Sequence, residues 1–436
     1  MSWDFSTDPD LADELAWIRE FIDTKAVPLE ALDLPVAEFD QVAAPLIKEV
    51  KERGLWAAHL GPEHGGTGRG QLRLALMNEI VGRSRVGPTL FGTAPPDSGN
   101  LELLAAHATP AQRARYFVPL LEGILRSSVA MTEPGAGADP TLLSTRLERK
   151  GSGWVLNGHK WFATNASLAD FLLVMAVSDP DAPPRDRATV VIVDRGTPGV
   201  DIRRDIPSME DPEPRPAQIE NHCEITFTDV RLPANAVLGE PGRGFAMMQE
   251  RLGPARVHHC MRWIGQARRA LDMLCERATY RYSHGSTLAE KQTVQNWIAD
   301  SAAEIAAARL LTLHAAWRID TVGSKEARED IALIKFYGAK VLHDVIDRAV
   351  QAHGSLGFSA DLPLEGMYRR ARAARIYDGP DEVHRQSAAR LILRGYTPPA
   401  DGIPTEHLPT RRRAAYEQFT EFLSDRKVAD DVIRSL

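Results

Sequence analysis

The sequence predicts an α+β chain: an N-terminal helical domain, a middle β domain of sandwich or barrel type, and a C-terminal four-helix bundle. Three observations carry this. Apolar residues recur at three- and four-residue spacing up to about residue 125. Short β-rich runs punctuated by Gly, Pro, Asn and Asp follow. The helical period then returns in long alanine-rich blocks. The expected domains are residues 1–126, 127–240 and 241–395, with 396–436 a linker and an appended helix.

Asp8-Pro9 can open the first helix, with Leu11, Leu15, Ile18 and Ile22 as its stripe. Val42 to Arg53 forms a second helix closing at Gly54, Gln71 to Val81 a third, and Pro110 to Leu121 one entered through Thr109-Pro110. Strands are expected at Ser128–Met131, Trp154–Leu156, Phe171–Val177, Thr189–Val193 and Glu224–Val230. Pro207–Pro216, with four prolines and three acids, reads as an irregular loop. The bundle segments are Phe245–Tyr282, Ala289–Val322, Ala327–His353 and Met367–Leu393. After a proline-bearing linker, Thr410–Leu436 reads as a short amphipathic helix packing on its own protein or on another subunit.

Composition narrows the function. Over 436 residues, 52 Lys and Arg against 59 Asp and Glu give a net charge of −7, which argues against a nucleic-acid binder. Cys223, Cys260 and Cys275 form no close ligand pair and are too few for a secreted disulfide framework. Met1 to Ser6 is acidic and lacks the apolar core of a leader. No apolar run approaches the ~20 residues that cross a bilayer. A soluble cytoplasmic protein without membrane insertion is expected.

The common phosphate-loop, zinc-protease, CxxC and GxSxG patterns are absent. His258-His259 are adjacent, so on a helix they diverge and chelate poorly; no metal site is expected. Three stretches can carry chemistry. Thr132-Glu133-Pro134-Gly135-Ala136-Gly137-Ala138-Asp139 is a flexible turn that can bring N–H groups to a cofactor, or be a tight turn only. In Gly158-His159-Lys160-Trp161-Phe162-Ala163-Thr164-Asn165, a ring can face a flat heterocycle while Thr164 bonds its edge, or the aromatics can plug the β core. Tyr377-Asp378-Gly379-Pro380-Asp381-Glu382-Val383-His384-Arg385 places three acids at a helix break, as a general base or as helix caps.

Together and in this order, these stretches resemble the acyl-CoA dehydrogenase family from about residue 10 to 395. The DGPDEVH stretch is most similar to the branch with human members ten and eleven, which takes long or branched acyl chains, and to bacterial fatty-acid or sterol-side-chain dehydrogenases. The resemblance implies FAD as cofactor. Met131 and Thr132 would wrap the flavin, Phe162 would face its ring and Thr164 would bond near N5. Arg281, Ser283, Gln351, Gly354 and Ser355 would reach the FAD of a neighbouring subunit, which implies a homo-oligomer, dimer or dimer of dimers, and Gln292 would be another FAD contact. Arg256 would be a cation near the active centre. Ala138 stands where many members have a serine for the CoA arm, so that contact is missing.

The resemblance puts the catalytic base at Asp378, where most members have glutamate; residues 253–256 carry no alternative carboxylate, and the nearest is Glu250. The implied reaction is α-proton abstraction from an acyl-CoA with hydride transfer to flavin N5, giving a trans-2-enoyl-CoA, with an electron-transferring flavoprotein as acceptor. An apolar pocket and a docked acyl chain are expected to raise the Asp378 pKa. The rival readings are an acyl-CoA oxidase or flavin monooxygenase on the same fold, and a non-catalytic homologue. Trp263 and Gly99 can line the acyl cleft or serve packing alone.

Overall fold

The computed structural model describes residues 9–215 and 219–423. The acidic Met1–Ser6 opening, Asp8, Pro216 and the end of the tail from residue 424 lie outside these residues.

Helices α1 (Pro9–Phe21), α2 (Val36–Glu52), α3 (Gly70–Val81) and α4 (Asp97–His107) build the N-terminal region. π turns at Ile22–Ala26 and Arg113–Phe117 each run into a helical turn containing a proline, Pro28 and Pro119. Proline has no N–H for the ladder, and the wider turn absorbs the mismatch. Thr109 enters its helix through a capping box with Gln112. Ile18, Phe21, Ile22, Leu74, Met77 and Phe91 share one core. On the other side of α3, Ala75 belongs to the core of the C-terminal bundle. One helix therefore joins two cores.

Eight strands form one mixed sheet in the order β6-β7-β3-β2-β4-β5-β8, with β1 pairing β4. They are β1 (Ser127–Ala130), β2 (Arg146–Lys150), β3 (Gly153–Thr164), β4 (Phe171–Val177), β5 (Ala188–Asp194), β6 (Val200–Asp205), β7 (His222–Leu232) and β8 (Val237–Leu238). β4 explains its unbroken apolar run: Phe171, Leu173 and Met175 pack with Leu104 and Phe117, while Leu172, Val174 and Ala176 pack with Leu156 and Phe227. β2 and β6 were not expected from sequence. Both are mostly polar outward, and Leu147 alone of β2 is buried.

The bundle consists of α5 (Gly244–Tyr280), α6 (Gln292–Val322), α7 (Arg328–His353), α8 (Leu364–Ala373) and α9 (Asp381–Leu393). The fourth expected segment is thus two helices, separated at residues 374–380. Gly242, at φ 81°, donates its N–H to Thr189 Oγ1 at 2.9 Å and anchors the start of α5 to β5. Residues from Ala389 on form a separate unit in which α10 spans Leu408–Gln418; there Leu408 and Phe422 are exposed. Among the described residues, no helix is long and apolar enough to cross a membrane.

Candidate active site

The break between α8 and α9 presents Asp378. Pro380 has no N–H to extend a helix, and Asp378 and Gly379 both adopt left-handed backbone, at φ 53° and 97°. A Cβ on Gly379 would lie 2.7 Å from His384 Nε2, so the turn needs glycine there. Carbonyls released from helical bonding find other donors. Lys335 Nζ of α7 donates to Ala374 O at 2.7 Å and to Gly379 O at 3.3 Å. Asp378 O accepts from Arg256 Nε at 3.1 Å and lies 3.0 Å from His384 Nε2. Trp263 Nε1 donates to Tyr377 Oη at 2.9 Å. Asp381 is 1% exposed and pairs with Arg375 at 2.8 Å, so it braces the break rather than facing a ligand.

Asp378 keeps 21% of its side chain exposed. Burial pushes its pKa up, but His259, Arg256, Arg251 and Lys335 outweigh that and hold it below the ordinary aspartate value. This corrects the expectation of an apolar pocket that raises the pKa: the carboxylate is faced by the cations Arg256, Arg251 and Lys335. Glu250, the other carboxylate considered, is 57% exposed and pairs with His107 at 3.0 Å. Trp263 belongs to the bundle core. Gly99 makes room for Arg251, whose Nε would be 2.7 Å from a Cβ there.

A second group gathers on the β sheet. Trp161 N–H donates to Thr132 O at 3.1 Å, and Lys160 Nζ donates to Met131 O at 2.8 Å, which brings Met131 and Thr132 beside Phe162. The β3–β7 register slips between Lys160 and Ala163, and within that bulge Phe162 has φ 50° and is 46% exposed. Two residues on, Thr164 Oγ1 lies 3.1 Å from His222 Nδ1, and His222 Nε2 lies 3.0 Å from Glu210 Oε2. Gly135 and Gly137 have open space where a Cβ would stand. An exposed ring, a hydroxyl and an open glycine turn suit a flat heterocycle with a polar edge. Arg369 of α8 donates from Nη1 to the Glu210 carbonyl at 2.8 Å, which ties this group to the helix that precedes the break.

The remaining predicted residues sit elsewhere on the bundle. Arg281 follows α5 and is exposed; Ser283 lies in the β-hairpin after it, and Gln292 opens α6, exposed. Gln351, Gly354 and Ser355 are exposed at the end of α7, where Gly354 has φ 66°. Gln351 lines a cleft of about 290 Å³ with Trp297, Asp344, Asp347 and Arg348. Among the described residues, no hydrogen bond or ion pair joins these six to Asp378 or to Phe162.

Sequence reasoning missed His259, Arg262, Lys335 and the His222–Glu210 pair at this site. Arg256, His259 and Trp263 follow i, i+3, i+7 spacing on one face of α5, a legible signal for His259. Nothing local marks Lys335 or Glu210.

Models of the acyl-CoA dehydrogenase N-terminal, middle and C-terminal domains match residues 12–124, 128–230 and 242–393. A protein of Mycobacterium tuberculosis described as a probable acyl-CoA dehydrogenase is 44% identical over 362 residues, 81% of this chain and 87% of its own. Acyl-CoA dehydrogenase family member 10 of Mus musculus is 39% identical over 391 residues, 86% of this chain. The match covers only 36% of that longer relative. A solved Mycobacterium abscessus structure, described as a putative acyl-CoA dehydrogenase, shares the fold at TM-score 0.84 and 37% identity, over 90% of this chain and 100% of its own.

Proposed function

The chain belongs to the acyl-CoA dehydrogenase family, and from that premise we propose that it is an FAD-dependent dehydrogenase of a saturated acyl-CoA, of medium, long or branched chain, with Asp378 as the base. The observation that carries this reading is the break at Asp378: a partly buried carboxylate on a left-handed turn, braced from α5, α7 and α9.

Met131, Thr132, Phe162 and Thr164 would hold the flavin ring. Arg281, Ser283, Gln292, Gln351, Gly354 and Ser355 would hold the far end of the cofactor of a neighbouring subunit in a dimer or dimer of dimers. Bound FAD would supply the hydride acceptor, so that loss of the α-proton gives a trans-2-enoyl thioester. The protein's own part is positioning and proton transfer. Among the described residues the Asp378 and Gly379 N–H groups make no hydrogen bond, which leaves them free to bind the thioester carbonyl and acidify the α-carbon. Arg256 holds the Asp378 carbonyl and keeps the carboxylate ionised and ready to accept the proton. A docked acyl chain displaces water from the carboxylate and raises its basicity toward that of a working base. An electron-transferring flavoprotein is the proposed electron acceptor.

Anaerobic titration of the FAD-loaded protein with straight, branched and sterol-side-chain CoA esters tests the reading. Bleaching of the flavin by one of them is expected, and H₂O₂ formed in air would identify an oxidase instead. Asp378→Asn should slow bleaching by roughly 10²–10⁴-fold with FAD retained. Wild-type bleaching in that variant would remove Asp378 from its role.

A further inference from the structure

His259, on α5, faces the same carboxylate. Its Nε2 lies 3.3 Å from Asp378 Oδ2, and only 14% of the histidine side chain is exposed. At the other side of the ring, Arg262 Nη2 lies 3.1 Å from His259 Nδ1. A guanidinium has donors only and stays charged in proteins, so Nδ1 must accept. A cationic imidazole would set N–H against N–H there. The ring is therefore neutral, and its one proton sits on Nε2, the nitrogen that lies 3.3 Å from Asp378 Oδ2.

Arg262 is itself fixed from a second helix. Its Nη1 donates to Asn78 Oδ1 at 3.0 Å and to Thr93 O at 3.3 Å, and Asn78 Nδ2 donates to Leu74 O at 2.9 Å. The reach is short because α3 and α5 touch backbone to backbone. A Cβ on Gly265 would lie 2.0 Å from Glu79 O, and one on Gly82 would lie 2.3 Å from Arg262 Cα.

We propose that His259 is a positioning residue for Asp378: its Nε2–H ties down Oδ2, and Arg262 holds the imidazole in the neutral tautomer that can do so. The assignment rests on the reading of Asp378 as base. It leaves Oδ1 as the oxygen that meets the α-proton. It also restrains a side chain one methylene shorter than glutamate, where a 1 Å error costs about 10²-fold in rate.

The surrounding charges fit a donor rather than a proton carrier. Arg251 and Arg256 of α5, Lys335 of α7 and His384 of α9 face Asp378, while Arg262 and His258 flank His259. Burial, helped by Arg262, pushes the His259 pKa down to about 3 against the pull of Asp378. The imidazole therefore stays neutral wherever the enzyme works.

The test compares His259→Leu, which removes the donor, with His259→Gln, whose amide nitrogen reaches a similar place. Rates of anaerobic flavin bleaching against pH are expected to show the acid limb displaced upward in the Leu variant, with a limiting rate about tenfold to 10²-fold lower. The Gln variant should bring the limb back toward its original position. Two readouts need no cofactor. Carbodiimide labelling of Asp378, followed by peptide mass spectrometry across pH, should show a higher midpoint in the Leu variant. Nitrogen NMR of ¹⁵N-histidine protein should show His259 protonated on Nε2 and bare on Nδ1. An unmoved acid limb and labelling midpoint in His259→Leu, or a proton on Nδ1, would overturn the proposal. If no acyl-CoA bleaches the wild type, the base reading fails alone, and the labelling and NMR still decide the pairing.

Discussion

Lys160 is fully buried against Glu133, with Nζ 2.8 Å from Oε1, and this pair sets the turn that carries Met131 and Thr132. Burial would raise Glu133, but Lys160, Ser144 and Thr145 overcome it and hold the carboxyl down to about 2. Burial draws Lys160 down to about 8, so the pair remains ionic at neutral pH. Glu133 has a folded pKa depressed from 4.5. Its stabilisation is complete above that value and is lost as pH falls toward 2. Glu133→Gln should therefore destabilise the chain by roughly 3–5 kcal/mol at neutral pH. Urea unfolding at several pH values should show the gap to wild type closing through that window; a gap independent of pH would contradict the assignment. Of the candidate site residues, Asp378, Phe162 and Thr164 stand out in the sequence because short motifs contain them. Arg262 was not, since its partner Asn78 is 184 residues away and no local pattern reports such a bond.

At the scale of elements, the long periodic helices were readable, while their interruptions were only half so. Gly379-Pro380 announced a break, but not that Lys335 would satisfy its carbonyls from another helix. β4 was legible as an apolar run, whereas β2 and β6, polar and with little buried, resembled loop. Helix contact follows the same logic: α3 and α5 meet at Gly265 because hydrogen is the only side chain that fits over Glu79 O. Gly265→Ala should push the helices apart, lowering stability by about 1–3 kcal/mol in chemical denaturation. It should also weaken Arg262's hold on Asn78, moving the acid limb of the bleaching rate in the direction expected for His259→Leu. An alanine variant of unchanged stability would mean that the contact is looser than the geometry implies.

For the whole molecule, the exposed residues of the bundle are informative. Phe358 is 84% exposed, Tyr282 63% and Tyr280 59%, each close in sequence to residues proposed for a neighbour's cofactor. Apolar exposure beside a half-built site is what a subunit interface leaves when one chain is viewed alone. Light scattering should give a mass that is a multiple of 48.1 kDa. Phe358→Asp should lower it and release FAD at the same time. A wild-type protein of single-chain mass that retains FAD would refute the shared site.

Arg262 also bears on inheritance. The matches to the family's three domains could suggest modules that recombine freely. Yet this guanidinium, contributed by the last segment, reaches Asn78 and Thr93 in the first, and through His259 it approaches Asp378, the proposed base. A crossover that imports a foreign first segment would leave a buried cation without its acceptors, at a cost of roughly 3–5 kcal/mol. Both segments must then change hands together, so a lineage carrying this relay inherits its ends as one allele.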